Sequence, residues 1–179
     1  MNALVCRQLA AGELCRLAEI DRTESITAAY TQHGEELEER TVDWQVPPFF
    51  AEGDNDHTLA YQIAFCQRHL AAGGTAVGAF DAERLVGIGV VTPHVRPGIA
   101  QLAYLQVSDG YRGQGVGRKL CEMMDDIARA AGDTAMVVSA TPSVNTVRFY
   151  MGRGFRPTAE PLPELYALEP EDVHLSREL

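Results

Sequence analysis

Three glycines at alternate positions mark the segment of this chain that is best suited to binding a ligand. They are Gly113, Gly115 and Gly117, and they follow an apolar run that ends at Val107. Because glycine has no Cβ, its backbone can come close to a bound group, and successive N–H groups can converge on an anion where a helix begins. The spacing predicts a phosphate-binding loop before a helix that starts near Gln114.

Three cations surround this loop in a chain that is otherwise acidic. Arg112 precedes it, and Arg118 and Lys119 follow Gly117 in the first turn of the predicted helix. Positive charges are disfavoured there by the helix dipole unless an anion is bound nearby. Lys119 is the only lysine of a chain whose formal net charge is -10. The cations therefore indicate an anionic ligand at the loop.

Two other phosphate-binding loops do not fit these residues. A Walker loop needs a lysine and then a serine or threonine after its last glycine, whereas Gly117 is followed by Arg118, Lys119 and Leu120. The dinucleotide pattern G-x-G-x-x-G fails because only one residue separates Gly117 from the preceding glycine. A glycine-rich turn with a purely structural role is the remaining alternative.

Hydrophobic periodicity predicts the elements that position the loop. Before residue 73 it indicates three helices, at residues 11–20, 24–33 and 58–70. After it come an antiparallel meander with strands at 76–80, 85–92 and 102–107, a helix that Gly132 ends as a left-handed cap, and a strand at 135–140. A last helix starts at Thr141-Pro142 and is closed by Gly154. This order predicts an α/β or α+β fold with a mixed sheet.

The loop and a second segment resemble the GCN5-related N-acetyltransferase (GNAT) superfamily. Residues 112–117 have the pattern R-x-x-G-x-G, which is similar to that family's Q/R-x-x-G-x-G/A acetyl-CoA motif. Residues 145–155, N-T-V-R-F-Y-M-G-R-G-F, are similar to its second motif. The resemblance covers residues 75–156 and implies a mixed, mostly antiparallel central sheet flanked by helices, with a splayed strand pair at the acetyl-CoA site.

The length of 179 residues suits one domain. Within it we expect a helical region on the substrate side at 1–73, an acetyl-CoA-binding core at 75–156 and a C-terminal strand region at 157–179.

The resemblance also implies roles for individual residues. The main-chain groups of Leu105 and Val107 would pair with the pantetheine arm, and the Val107 N–H is the expected oxyanion donor. Tyr150 is similar to the family tyrosine that protonates the departing thiolate, so Tyr150 and Val107 are the expected catalytic residues. Asn145 would bind the pantetheine. The pyrophosphate would be bound by the N–H groups of Arg112, Gly113, Gln114, Gly115, Val116, Gly117 and Arg118.

The implied activity is transfer of an acetyl group from acetyl-CoA to a primary amine of a small molecule or peptide, by direct nucleophilic attack. Some family members use a glutamate as the base, but the corresponding stretch, residues 100–104, holds no carboxylate. A non-catalytic acyl-CoA-binding sensor or scaffold therefore stays as the alternative. His94 is a second candidate base, although a surface role suits it better. The remaining candidates are an acidic run that also suits a solvated face: Glu35, Glu36, Glu38, Glu39, Asp43, Glu52, Asp54 and Asp56.

Composition and charge narrow the class of partner. The net charge of -10 argues against nucleic acid or an anionic membrane as a partner and favours a cationic acceptor. Four scattered cysteines without a Cys-x-x-Cys pair, and a start without a signal peptide, favour the cytoplasm. No apolar run is long enough to span a membrane, and the five histidines form no metal-ligand motif, so we expect no metal. A homodimer is expected only by analogy with the family.

Overall fold

The computed structural model describes residues 4–53 and 55–179. The strands are β1 Val5–Leu9, β2 Glu24–His33, β3 Glu36–Val46, β4 Thr75–Asp81, β5 Arg84–Arg96, β6 Ile99–Val107, β7 Ala135–Ala140, β8 Arg156–Pro157 and β9 Val173–Glu178. The α-helices are α1 Leu59–Ala71, α2 Val116–Ala131, α3 Val144–Gly152 and α4 Pro163–Leu168, and a 3-10 helix spans Ala11–Glu19.

Seven of the strands form one sheet in the order β1-β4-β5-β6-β7-β9-β8. Every neighbouring pair in this sheet is antiparallel except β6 and β7, which are parallel. Strands β2 and β3 pair with each other in a separate hairpin. The predicted mixed, mostly antiparallel sheet is therefore confirmed.

Helices cover both faces of this sheet. In β4, Val77 and Ala79 belong to a hydrophobic cluster with α2 and α3, whereas Ala76 and Phe80 belong to a second cluster with the 3-10 helix and α1. Alternate side chains of a strand point to opposite faces, so the two clusters lie on opposite sides of the sheet. The predicted flanking helices are confirmed.

Two glycines of β5 allow α2 to lie close to the sheet. A Cβ on Gly87 would lie 2.9 Å from Val116 Cγ1, and a Cβ on Gly89 would lie 2.7 Å from Met124 Cε. Real Cβ atoms do not approach so closely, so any other residue at these positions would force the facing side chains of α2 to shift. The glycines that interrupt the apolar run of β5 thus leave room for Val116 in the first turn of α2 and for Met124 farther along the helix.

The predicted helix at residues 24–33 is wrong, because this segment is strand β2. Ile26 and Ala29 are its two buried residues, and their spacing of three mimics a helical face. Ala29 forms a β-bridge with Ser143, a contact outside the hairpin that the local sequence pattern does not show. The register shift between Ile26 and Ala28 adds a residue to β3, where the partners Trp44 and Thr41 are three positions apart, and adds none to β2.

The region 1–73, which we expected to be helical, also contains strands β1 and β3. The other predicted elements are present with small shifts. The 3-10 helix, α1, the meander of β4, β5 and β6, and strand β7 all lie where the pattern predicts them. Gly132 ends α2 with φ of +94°, as expected of a left-handed cap. Helix α3 begins at Val144 rather than at Pro142, because Ser143 is its N-cap and accepts a hydrogen bond from Thr146 N–H at 3.2 Å. The C-terminal region contains α4 as well as strands.

Candidate functional site

The loop before α2 has the backbone conformation that its glycines allow. Gly113 and Gly115 have φ of +73° and +83°, and Gly115 is the N-cap of α2. The Lys119 N–H donates to the Gly115 carbonyl at 3.1 Å. The N–H groups of residues 116–118 lie before that bond, where a helix offers them no partner. The loop therefore presents amides to an anion, while the buried Val116 side chain anchors it.

The guanidinium of Arg112 is bound to backbone carbonyls on two sides. Its Nε donates to Val107 O at 3.2 Å, and its two Nη atoms donate to Thr23 O at 3.0 Å and Arg22 O at 3.2 Å. The side chain thus ties the segment before β2 to the end of β6. Because the side chain is occupied in this way, only the main-chain N–H of Arg112 can make the predicted contact with the pyrophosphate. That contact stays a prediction.

The other two cations of the loop are on the surface. Arg118 is 64% exposed, and its Nε lies 3.9 Å from Glu122 Oε1 in the next turn of α2. Lys119 is exposed as well, and so is Gln114. An ion pair this exposed contributes little to stability, so Arg118 and Lys119 can both turn toward an anion at the loop.

Strands β6 and β7 separate at the edge of the sheet that carries the loop. They pair only from Ile99 to Gln101 of β6, after which β6 runs on to Val107 and β7 to Ala140 without facing residues. The predicted splayed strand pair is confirmed. Leu105 and Val107 lie on the part of β6 that has left β7. An extended ligand can bind such a strand edge as an added strand, as the predicted role of these residues requires.

Helix α3 packs against the start of α2 through the side chain of Phe149. A Cβ on Gly117 would lie 3.2 Å from Phe149 Cζ and 3.7 Å from Val107 Cγ2. Gly117 thus brings the first turn of α2, the end of β6 and helix α3 together at one point. The third glycine of the loop therefore has a packing role, because a Cβ there would be crowded by the Phe149 ring.

Asn145 lies one turn before Phe149 on α3 and is exposed. Together with Arg112 it lines a cavity of about 550 Å³, whose remaining walls come from the start of β2, the end of β3 and the loop. The structure therefore brings these two predicted ligand residues to one cavity. The other lining residues are Thr23, Glu24, Ser25, Gln45, Val46 and Asp109.

Tyr150 is buried, with 4% of its surface exposed. Its ring packs edge-on against Phe149 and Phe155, with centroid distances of 5.2 and 5.6 Å. Burial raises the pKa of Tyr150 well above its ordinary value, and the nearby Cys121 and Asp172 raise it further. The phenol is therefore a weak acid that favours donating a hydrogen bond over releasing its proton. Its catalytic role stays a prediction.

The candidate bases predicted from the sequence make no contact with Tyr150 among the described residues. The acidic residues of β3 lie on exposed positions, where Glu39 pairs with Arg148 at 3.1 Å. His94 forms a hydrogen bond with Asp133 instead, with 2.8 Å between His94 Nδ1 and Asp133 Oδ1. His94 is near the end of β5 that pairs with the start of β6, far along the strand from Val107. Asp54 lies outside the described residues.

Another carboxyl, Asp172, lies where its charge raises the pKa of Tyr150. It precedes β9, is half-buried, and accepts a hydrogen bond from Ser139 Oγ of β7 at 3.3 Å. Burial raises the pKa of Asp172 to about 7, and Glu169 adds to the shift while Ser139 opposes it. Sequence reasoning missed this residue, because an acid before the last strand carries no signal of its own burial.

Among residues 4–53 and 55–179, no three His, Cys, Asp or Glu side chains lie together in a way that could hold a metal ion. Within the same residues, no helix combines the length and the apolar composition that crossing a membrane requires.

Comparison with known proteins gives a family and a set of folds. Residues 38–155 match the Acetyltransferase (GNAT) family. A curated relative, N-acetyltransferase 8B of Rattus norvegicus, is 35% identical over 92 residues, which are 49% of this chain. This chain spans 41% of the length of that relative.

Solved structures share the fold over nearly the whole chain. Nourseothricin acetyltransferase superposes with a TM-score of 0.73 at 19% identity, over 99% of both chains. A Bacillus anthracis str. Ames protein, described as a streptothricin acetyltransferase and crystallised with acetyl coenzyme A, superposes with a TM-score of 0.71 at 17% identity. That match covers 99% of this chain and 98% of the other.

Proposed function

This chain belongs to the GNAT family of acetyltransferases, and from that premise we propose that it transfers an acetyl group from acetyl-CoA to a primary amine. The acceptor is an amine of a small molecule or peptide. One observation carries the proposal: the free edge of β6 ends at Val107, and four residues separate it from the glycine loop that caps α2. The edge of β6 can thus pair with the pantetheine arm of CoA, and the amides of the loop that follows can bind its diphosphate.

The proposed binding mode follows the geometry of the two motifs. The amides from Arg112 to Arg118 hold the pyrophosphate, and the main-chain groups of Leu105 and Val107 pair with the pantetheine. The side chain of Asn145 borders the same cavity as Arg112 and binds the pantetheine from the start of α3. The thioester then lies near Tyr150, whose hydroxyl stabilises the departing thiolate by a hydrogen bond.

The chemistry demands an unprotonated amine. The amine attacks the thioester carbonyl carbon, and the Val107 N–H stabilises the oxyanion that forms. An alkylamine with a pKa of about 10.4 is neutral in only about one molecule in 2,500 at pH 7. The site must therefore remove a proton before the attack.

The acceptor is proposed to be cationic before that proton leaves. The net charge of -10 attracts a cation and repels anionic macromolecules. The structural neighbours include proteins named for nourseothricin and streptothricin, so these two compounds are the first acceptors to test. A cytoplasmic location is part of the proposal and is supported by four free cysteines.

A non-catalytic acyl-CoA-binding module is the second candidate. It is favoured by the burial of Tyr150, which is 4% exposed, and by the lack of a carboxylate in residues 100–104. Both candidates bind acetyl-CoA, so binding alone does not separate them.

Release of free thiol from acetyl-CoA in the presence of amines separates the two. The panel contains nourseothricin, streptothricin, polyamines and peptides, with hydrolysis in the absence of amine as the baseline. Release above baseline supports the enzyme. If acetyl-CoA raises the melting temperature but no amine gives release, the binding module replaces it. If acetyl-CoA does not bind at all, both are wrong.

A further inference from the structure

A second cavity, of about 420 Å³, lies between the β2–β3 hairpin and the C-terminal segment of the chain. We call it the hairpin cavity. Its walls come from β2, from β3, from α4 and from the residues that lead into β9. The lining residues used below are Tyr30, Arg40, Tyr166, Glu171, Asp172 and His174.

Hydrogen bonds hold the two walls of the hairpin cavity together. The Gln32 side chain donates to Thr158 O at 3.0 Å and to His174 O at 3.3 Å, and it accepts from His174 N–H at 2.8 Å. Farther along β2, Tyr30 N–H donates to Pro142 O at 2.7 Å. The cavity is therefore formed by a hairpin that is fastened at several points.

Asp172 belongs both to this cavity and to the surroundings of Tyr150. The next residue, Val173, pairs with Ala140 at the end of β7. Because β6 and β7 are parallel, this is also the edge of the sheet at which β6 reaches Val107 and the glycine loop. The charge of Asp172 acts on Tyr150 and raises the pKa of its phenol. The carboxyl thus links the hairpin cavity to the predicted reaction centre.

The groups that face Asp172 leave it without a cationic partner among the described residues. Ser139 of β7 donates to it at 3.3 Å. Glu169 raises the pKa of Asp172, after burial as the larger cause. Burial lowers the pKa of His174, whose Nε2 lies 3.1 Å from Glu169 O, so this imidazole is neutral near pH 7.

The remaining charged and phenolic groups of the cavity wall do not neutralise Asp172. Arg40 of β3 stacks over the Trp44 ring at 5.2 Å. Glu171 adds a second acid to the wall, and Tyr30 and Tyr166 add phenol rings. A cationic amine that entered the cavity would therefore meet a carboxyl together with aromatic surface.

We propose that the hairpin cavity binds the acceptor amine and that Asp172 is the base that removes its proton. This inference rests on the proposed function. The ammonium gives one proton to the Asp172 carboxylate, and the neutral amine attacks the thioester carbonyl carbon as the C–S bond breaks. The second amine proton goes to the CoA thiolate by way of Tyr150. Asp172 then releases its proton to water, so the products are the amide, CoA thiol and one proton.

The test is the pH profile of kcat/KM for thiol release with one accepted amine, measured for the wild type, Asp172→Asn and Asp126→Asn. Asp126 is 81% exposed on the surface of α2, so its variant is a matched control. In the wild type and the control we expect kcat/KM to rise with pH along a limb near pH 7. In Asp172→Asn we expect a loss of roughly 100-fold at pH 7, a loss that shrinks as the pH approaches the pKa of the amine. Affinity for acetyl-CoA stays unchanged.

Ser139→Ala is a second test that keeps the carboxyl. It removes the hydrogen bond that opposes the raised pKa of Asp172, so the limb should move to higher pH, and this variant also serves if Asp172→Asn does not fold. If the wild type acetylates an amine and the kcat/KM of Asp172→Asn lies within threefold of the wild-type value, the inference is overturned but the proposed function is not. The same holds if the limb of the pH profile stays in place in both Asp172→Asn and Ser139→Ala. A wild type that binds acetyl-CoA but acetylates no amine overturns the proposed function with it.

Discussion

The Nε atom of Arg112 donates a hydrogen bond to the carbonyl oxygen of Val107 at 3.2 Å, which ties the glycine loop to the end of β6. The same guanidinium reaches the carbonyls of Arg22 and Thr23. A planar group with donors in several directions is needed to bind all three carbonyls, and lysine cannot replace it. The first residue of the loop is therefore a structural tie as well as a predicted ligand.

Arg112→Lys should lower the free energy of unfolding by about 1–3 kcal/mol, because hydrogen bonds of a charged donor are lost. Urea denaturation measures the change. Arg118→Lys is the matched control, since Arg118 is 64% exposed, and it should stay within about 0.5 kcal/mol of the wild type. Equal stabilities of the two variants would contradict the structural role of Arg112.

Gly115→Ala should weaken acetyl-CoA binding about tenfold or more, which corresponds to about 1.4 kcal/mol. Gly115 and Gly132 cap the two ends of α2 with nearly the same left-handed backbone, at φ of +83° and +94°. An alanine at either position should cost about 1–2 kcal/mol of stability. Only Gly115→Ala should change the affinity, as measured by calorimetric titration. Equal affinities of the two variants would argue against a diphosphate at the loop.

Tyr150→Phe should lower kcat roughly 10- to 100-fold, because the hydrogen bond to the leaving thiolate is lost. The dissociation constant of acetyl-CoA should be the same as that of the wild type. The raised pKa of Tyr150 means that no alkaline limb from its own ionisation should appear near pH 10. Tyr61→Phe, on the exposed side of α1, is the control. Full activity of Tyr150→Phe would exclude Tyr150 from catalysis.

Asp125→Asn should destabilise the fold by about 3–5 kcal/mol. Asp125 is 3% exposed on α2 and pairs with Arg177 of β9 and, at 3.4 Å, with Arg153 at the end of α3. Removing the anion leaves two largely buried guanidinium groups without compensation. Urea denaturation of this variant and of Asp126→Asn gives the comparison. A loss below about 1 kcal/mol in Asp125→Asn would contradict the role of the cluster.

Asp172→Asn should become more stable relative to the wild type as the pH rises. The pKa of Asp172 is raised to about 7 in the folded state from 3.8, so folding favours the protonated carboxyl. The stability that this proton contributes is full below about pH 4 and is lost as the pH rises through 7. By pH 8 the relative gain of the variant should reach on the order of 4 kcal/mol. Melting curves at pH 4 to 8 measure it, and a constant difference would refute the raised pKa.

The sequence was informative wherever a local pattern decides the backbone. The glycine loop, the amphipathic stripe of α2 and the cap at Gly132 all depend on residues within a few positions of one another. The same locality misled the prediction for residues 24–33. Strand β2 buries Ile26 and Ala29, three positions apart, and Ala29 bridges Ser143 far along the chain, so spacing alone cannot tell this strand from a helix.

The sequence by itself determined the family motifs, the glycine conformations and most of the sheet, because those follow from backbone sterics and side-chain periodicity. Only the tertiary structure decided which atoms Arg112 binds and where Asp172 lies. The acceptors of Arg112 are carbonyls at residues 22, 23 and 107, and the donor to Asp172 is Ser139. Most of these partners lie far away in the chain, so their chemistry arises only when the sheet and the hairpin come together.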